Sequence, residues 1–177
     1  MKVAAVQLTS TGNVTENQEL ALAKIREAAG NGARLIVLPE ATAQNFRSGR
    51  LDEQAQTLEG PFATAIQALA EELEVTVVAG MFCPADTVER EGKTINRVTN
   101  TALIAGPGVL GGYDKIHTYD AFDYRESDTV FAGESLVAFD VDDLIVGVAT
   151  CYDIRFPEQF KELASQGAQL IVVPTSW

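Results

Sequence analysis

The stretch Leu144-Ile-Val-Gly-Val-Ala-Thr-Cys151-Tyr-Asp-Ile-Arg155-Phe-Pro-Glu158 contains an apolar run that ends at a cysteine. The run is typical of a buried strand, and Pro157 suits the first position of a helix. A strand that passes directly into a helix lifts the connecting side chain out of the sheet. It also leaves that side chain beside backbone N–H groups without intrahelical partners. The sequence therefore predicts that Cys151 is a nucleophile.

Two other polar side chains also lie where predicted strands end. Glu40 follows the apolar run that begins at Leu35, and Lys115 lies at the end of the predicted strand 109–116. An ammonium beside the turn at Cys151 favours the thiolate, which is the attacking form of cysteine. The same ammonium and the Tyr152 backbone N–H can stabilise the oxyanion that forms when a thiolate attacks an amide. A carboxylate can transfer the protons of both half-reactions.

Each of these residues also has an ordinary structural explanation. A cysteine at a strand end is often a small core residue, so Cys151 alone indicates little. Glu40 alone suits a solvated loop, and Lys115 alone could protect the edge of a sheet. The combination of the three favours an acyl-transfer site.

An internal repeat indicates how distant residues could meet. The segment Gly32-Ala-Arg-Leu-Ile-Val-Leu-Pro39 recurs as Gly167-Ala-Gln-Leu-Ile-Val-Val-Pro174, with six of eight positions identical. Each copy follows a predicted strand and helix, although chance similarity between two buried strands remains an alternative. Two similar halves would bring the ends of their central strands into one cleft. The first copy continues into further elements and the second does not, so we expect a single domain over residues 1–177, truncated at the C-terminus.

The apolar periodicity predicts an alternating α/β pattern. Predicted strands cover 3–8, 34–38, 75–81, 94–105, 109–116, 136–140, 144–150 and 169–173, the first of them buried. A helix over 15–29 begins with Thr15 and Gln18 spaced as a capping box, and two more begin at Pro61 and Pro157. The segment 41–60 is predicted to be a polar loop.

Composition disfavours several function classes. The chain has 177 residues, 46% of them hydrophobic, and a net charge of −12, which disfavours nucleic acid and anionic membranes as partners. Two cysteines and no signal peptide or membrane span predict a cytoplasmic protein. No His, Cys, Asp or Glu grouping has metal-ligand spacing, and no glycine-rich segment suits a nucleotide, so no metal or cofactor is expected.

Three sequence blocks together resemble the nitrilase superfamily, the carbon–nitrogen hydrolases: Ile36-Val-Leu-Pro-Glu40, Tyr113-Asp-Lys115-Ile-His117 and Thr150-Cys151-Tyr-Asp-Ile-Arg155-Phe-Pro-Glu158. The resemblance implies an α-β-β-α sandwich and metal-free hydrolysis by a Glu-Lys-Cys triad. Glu40 would act as general base and acid, Lys115 would stabilise the oxyanion, and Cys151 would form a thioester. Glu126 would be a second carboxylate that orients Lys115 and the substrate. Relatives commonly form homodimers, and a homodimer is expected here.

The form of the cysteine block is most similar to the amidase branch that contains Nit proteins and omega-amidase. In related amidases the arginine at the position of Arg155 can hold a substrate carboxylate, which implies a small carboxylate-bearing amide as substrate and ammonia as product. An ion pair of Arg155 with Asp153 or Glu158 is the alternative. A ureido-acid (N-carbamoyl) hydrolase, a nitrilase and an inactive truncated fragment are alternative functions. A Cys-His hydrolase that uses His117 is a further one, although a structural role for this histidine is preferred.

Overall fold

The computed structural model describes residues 1–176. The helices are α1 (Val14–Gly30), α2 (Pro61–Glu72) and α3 (Pro157–Ser165), with short 3-10 turns at Glu126–Asp128 and Cys151–Arg155. The strands are β1 (Val3–Ala5), β2 (Leu35–Val37), β3 (Thr76–Arg90), β4 (Lys93–Gly106), β5 (Val109–Asp114), β6 (Asp120–Ala121), β7 (Tyr124–Arg125), β8 (Val130–Phe131), β9 (Val137–Val141), β10 (Leu144–Val148) and β11 (Leu170–Val172).

The strands form two main sheets and one small hairpin. The larger sheet has the order β1-β2-β3-β4-β5, with β8 paired to β4, and its first three strands are parallel. The smaller sheet has the order β11-β10-β9. The strands β6 and β7 pair as a separate antiparallel hairpin. The two predicted hairpins, β4 with β5 and β9 with β10, are confirmed.

Alternating side chains of the larger sheet supply two separate cores. Ile36 and Val77 pack against helices α1 and α2, whereas Leu35 and Val78 face the smaller sheet. On the outer face of the smaller sheet, Leu163 of α3 is fully buried. The layers therefore follow the order helix, sheet, sheet, helix, and the predicted α-β-β-α sandwich is confirmed.

The internal repeat corresponds to two equivalent β-α-β units. In the first unit, β1 pairs in parallel with β2 after α1, and in the second, β10 pairs in parallel with β11 after α3. Gly32 and Gly167 both adopt positive φ, 83° and 99°, where the chain leaves the helix of each unit. Such a conformation favours glycine, which explains its presence at the start of both copies.

Three local predictions are wrong for identifiable reasons. Asn13, rather than a capping box at Thr15, caps α1, because its side chain accepts from the N–H groups of Thr15 and Glu16. The first strand is not buried, since Val3 is 43% exposed on the edge strand β1. The strand β3 extends to Arg90, well past the predicted end, because its outer part alternates polar and half-buried residues and contains no apolar run.

Gly80 of β3 allows the chain after β2 to lie directly against the sheet. Its N–H donates to Pro39 O (3.0 Å), and a Cβ at this position would overlap the carbonyl oxygen of Glu40. The overlapping atoms of Glu40 belong to the backbone, so they could not move aside as the end of a flexible side chain could. The position of Glu40 therefore depends on the absence of a side chain at residue 80.

Replacing Gly80 by alanine is expected to displace Glu40 and lower the free energy of unfolding by about 2 kcal/mol or more, as overpacking does. Gly111→Ala is the matched control, since a Cβ there would meet no atom within 4 Å. Urea denaturation of both variants measures the difference. Equal stability of the two variants would contradict the proposed close packing.

Candidate active site

A cavity of about 460 Å³ contains the predicted catalytic side chains. Glu40, Lys115, Glu126 and Cys151 all line it, although they come from four separate parts of the chain. The remaining lining residues are mostly aromatic or apolar: Phe46, Arg47, Tyr119, Ala121, Phe122, Tyr124 and Ser176. The structure thus brings together the acid, ammonium and thiol that the sequence pattern selected.

Lys115 is buried between two carboxylates at the base of this cavity. Its Nζ donates to Glu40 Oε1 (3.1 Å) and to both Glu126 oxygens (3.1 and 2.9 Å). All three residues are at most 2% exposed. Burial alone would lower the pKa of Lys115, but the nearby Glu40 and Glu126 carboxylates outweigh it and raise the pKa to about 12. Lys115 is therefore a permanent ammonium at neutral pH.

Asn100 is a member of this cluster to which sequence reasoning assigned no role. It is fully buried on β4, and its Nδ2 donates to Glu40 Oε1 (2.9 Å) and to Glu126 Oε1 (3.2 Å). Its backbone carbonyl oxygen also accepts from the Lys115 backbone N–H (2.9 Å). One asparagine therefore holds all three charged residues. Its neighbours Thr99 and Thr101 are polar as well, so no sequence pattern distinguishes Asn100.

The loop around β6 and β7 fixes Glu126. The Tyr119 N–H donates to Glu126 Oε2 (2.6 Å), and the Glu126 N–H donates back to Tyr119 O (3.1 Å). Between these residues, Phe122 and Asp123 both have positive φ and form the two-residue hairpin turn. The hairpin thereby positions Phe122 at the edge of the cavity, where it is 93% exposed.

Cys151 lies in a strained turn at the end of β10. Its φ is 47°, which is uncommon for a residue with a side chain, and its N–H donates to Pro174 O (2.9 Å). The Glu40 N–H contacts the adjacent Thr175 O (3.4 Å). The backbone just after β11 therefore contacts both the segment of the acid, Glu40, and the segment of the thiol, Cys151. This agrees with the shared cleft that the internal repeat predicted.

The charge state of the Cys151 thiol differs from the prediction. Lys115 is predicted to favour the thiolate, but burial raises the pKa of Cys151 to about 12, and Glu40 adds to this increase. Lys115 opposes the shift without cancelling it. The resting sulfur is consequently a protonated thiol that needs a base. Glu40 Oε2 is buried and has no hydrogen-bond partner among residues 1–176, so it offers a free acceptor in the cavity.

Arg155, which was predicted to bind a substrate carboxylate, is not among the residues that line this cavity. The residue is exposed on the 3-10 turn after Cys151. Nor does it form an ion pair with Asp153, Glu158 or any other carboxylate of residues 1–176, whose ion pairs lie elsewhere. The arginine that does line the cavity is Arg47, in the irregular segment after β2, where no sequence pattern singled it out.

His117 and Tyr152 lie beside the site. His117 Nδ1 contacts Asp153 Oδ1 (2.8 Å), and its ring stacks on Phe156 with centroids 3.6 Å apart, which agrees with the preferred structural role. The Tyr152 ring packs edge-on against Tyr119. Its backbone N–H belongs to the first turn of a short helix and so has no intrahelical partner.

Other features of the described chain carry less chemistry. A slightly larger cavity, of about 510 Å³, lies between the ends of β1, β2 and β11 and is lined by no titratable side chain. Residues 1–176 contain no group of three His, Cys, Asp or Glu residues arranged to hold a metal ion. Within the same part of the chain, no helix has the length and apolar character that crossing a lipid bilayer requires.

Comparison with known proteins identifies the family. The sequence model of the carbon–nitrogen hydrolases, described as "Carbon-nitrogen hydrolase", matches residues 2–177. The chain belongs to this family.

Individual relatives agree with that assignment. A hydrolase of Mycobacterium tuberculosis is 43% identical over all of this chain and 61% of its own length. The deaminated glutathione amidase of Escherichia coli O157:H7 is 35% identical over all of this chain and 66% of its own length. The omega-amidase of Danio rerio is 32% identical over 98% of this chain and 62% of its own length. The chain thus spans about three fifths to two thirds of the length of these curated relatives.

Solved structures agree on the fold. A mutant of the Nesterenkonia AN1 amidase from the nitrilase superfamily superposes with a TM-score of 0.82 at 22% identity, covering all of this chain and 65% of that one. A carbon–nitrogen hydrolase superfamily protein of Xanthomonas campestris has a TM-score of 0.72 at 25% identity over 88% of this chain and 55% of that one. The predicted membership of the nitrilase superfamily is confirmed.

The raised pKa of Cys151 leads to a test of the site's charges. Glu40→Gln removes one anion near the thiol, so the pKa of Cys151 is expected to fall by about one unit and its alkylation to begin at lower pH. The rate of iodoacetamide modification, followed across pH by mass spectrometry of the peptide that contains Cys151, measures this shift. Glu59→Gln, a change outside the residues that line the cavity, is the control. An unshifted curve in Glu40→Gln would show that the two groups do not interact.

Proposed function

We propose that the chain is a carbon–nitrogen hydrolase of the amidase type that works through a Glu40-Lys115-Cys151 triad. The main support is the free Glu40 Oε2, a buried acceptor in the cavity that also contains a protonated thiol and a permanent ammonium. Two of the relatives named above are amidases, which supports the reaction type. A single domain over residues 1–177 and a homodimer stay predictions.

In the proposed acylation step, Glu40 is the general base. As Cys151 Sγ attacks the amide carbon, the thiol proton passes to Glu40 Oε2 and a tetrahedral oxyanion forms. Glu40 then returns this proton to the leaving nitrogen, so that ammonia departs and a thioester remains on Cys151. A water molecule, activated by the same carboxylate, attacks the thioester and releases the carboxylic acid.

Lys115 is proposed to stabilise the oxyanion in both half-reactions. Its ammonium is already desolvated and held by Glu40 and Glu126, so it does not need to reorganise when negative charge forms on the substrate. The Tyr152 N–H is proposed as the second donor. Glu126, fixed by the loop at Tyr119, keeps Lys115 in place.

Loss of the Cys151 sulfur tests this mechanism. Cys151→Ala is expected to lower ammonia release from a five-carbon dicarboxylic acid monoamide by more than about a thousandfold, as removal of a nucleophile does. Cys83→Ala, which changes the other free cysteine, is the matched control and should keep its activity. Mass spectrometry should find an acyl adduct on Cys151 alone. Ammonia release that persists in Cys151→Ala, or its absence from the well-folded native chain, would contradict the proposal.

We also propose that the substrate carries a carboxylate and that Arg47 binds it. Arg47 lines the cavity and forms no ion pair with a carboxylate of residues 1–176, so its guanidinium is available to a ligand. The planar guanidinium can bind a carboxylate through two parallel hydrogen bonds. The aromatic side chains of Phe46 and Tyr124 could flank the apolar part of such a small amide.

Arg47→Gln is expected to raise KM for the carboxylate-bearing amide about tenfold, equivalent to roughly 1.4 kcal/mol, because one charged contact is lost. A neutral amide of equal length should be hydrolysed as before. Arg155→Gln, at the arginine first expected to bind the carboxylate, is the control. If Arg155→Gln causes the loss and Arg47→Gln does not, the assignment to Arg47 is wrong.

A further inference from the structure

Asp153 is a fully buried carboxylate two residues after Cys151. Its Oδ1 accepts from the His117 backbone N–H (2.9 Å) and lies 2.8 Å from His117 Nδ1. Its Oδ2 accepts from the Thr150 N–H (2.8 Å) and from the Tyr113 hydroxyl (2.6 Å). Each carboxylate oxygen therefore accepts from one backbone N–H, which can only donate, and also contacts one side chain.

These bonds join the two segments that carry the ammonium and the thiol. His117 lies two residues after Lys115, and Thr150 directly precedes Cys151. Each segment gives Asp153 one backbone N–H, so the carboxylate links main chain to main chain. Cys151 also has the strained φ of 47°, and such a conformation persists only where surrounding contacts hold it.

We propose that Asp153 is a positioning residue that fixes where Cys151 Sγ lies relative to Lys115 Nζ, a role that rests on the function proposed above. It does not touch the substrate. It acts through the backbone at residues 117 and 150, and so holds the sulfur within reach of the carbonyl carbon whose oxygen Lys115 stabilises. A small displacement of either segment would separate the attacking atom from the oxyanion donor.

The geometry of the two carboxylate oxygens makes asparagine an informative substitution. In Asp153→Asn, one oxygen becomes an NH2 group that donates and cannot accept. If the NH2 replaces Oδ2, the Thr150 N–H loses its acceptor, and if it replaces Oδ1, the His117 N–H does. The Tyr113 hydroxyl and the His117 ring can reverse their donor and acceptor roles, but a backbone N–H cannot. Either orientation therefore releases one of the two segments.

Asp153→Asn is expected to lower kcat for the carboxylate-bearing amide by about tenfold or more while KM stays within about threefold, because misplacement affects the reacting atoms and not the binding of the substrate. The pH–rate curve for iodoacetamide modification of Cys151 should shift to higher pH by about half a pH unit or more, since a thiol that moves away from Lys115 loses the ammonium that favours its anion, whereas loss of the Asp153 charge alone would shift the curve to lower pH. This second readout needs no substrate, so it tests Asp153 even if the chain hydrolyses no amide.

Two control variants separate positioning from general destabilisation. Val146→Ala removes buried volume from β10 without touching the Asp153 contacts, and every variant is assayed at the same interval below its own melting temperature. Tyr113→Phe removes one side-chain donor to Asp153 but keeps both backbone bonds, so its kcat should fall by no more than about threefold. Tyr113→Phe is also the variant that tests the proposal if Asp153→Asn does not fold.

The outcomes are distinct. A lowered kcat with an almost unchanged KM and an alkylation curve shifted to higher pH, seen in Asp153→Asn and not in Val146→Ala, supports the proposal. An Asp153→Asn variant whose alkylation curve coincides with that of the native chain or shifts to lower pH overturns it, as does an equal loss of kcat in Val146→Ala. A tenfold loss in well-folded Tyr113→Phe would also overturn it, because the backbone bonds would then not be the decisive ones.

Discussion

The buried ammonium of Lys115 is the constraint on which the site depends. A lone charge at this depth would be strongly unfavourable, and the protein compensates it with Glu40 and Glu126, each within 3.1 Å. These partners come from the chain after β2 and from the loop after β7, so satisfying one charge requires two distant segments to converge. Asn100 then supplies a neutral donor to both carboxylates. The compensation of the Lys115 charge therefore depends on the same tertiary structure that brings these distant segments together.

The repeated β-α-β unit explains why the thiol joins this cluster. Both copies place a parallel strand pair at the edge of a sheet, and the two sheets pack face to face through Leu35, Val146 and their neighbours. The end of β11 then lies between the two halves, where Pro174 O accepts from the Cys151 N–H. A symmetric scaffold therefore brings together residues that are far apart in sequence, while the functional side chains differ between the copies.

Much of this could be predicted from the sequence, because buried strands and amphipathic helices leave apolar patterns. The sandwich follows from them, and Glu40, Lys115 and Cys151 each lie where such a pattern ends. Other features leave no pattern. The polar outer half of β3 is stabilised by cross-strand pairing with β4 and not by an apolar run. Arg47 belongs to an irregular loop, so only tertiary structure shows that it lines the cavity and that Arg155 does not.

The protonated state of Cys151 follows from the charge balance of the cavity. One ammonium already faces two carboxylates, so a resting thiolate would add further negative charge in a place with little solvent, which is consistent with the raised pKa of this thiol. In the proposed mechanism, transfer of the thiol proton to Glu40 during attack avoids that cost, because the negative charge moves from the carboxylate to the substrate oxygen and the total charge of the cavity stays constant. The proposed oxyanion forms beside Lys115, whose partner Glu40 has just become neutral. The ammonium is thereby freed from one carboxylate at the moment when the substrate oxygen needs it.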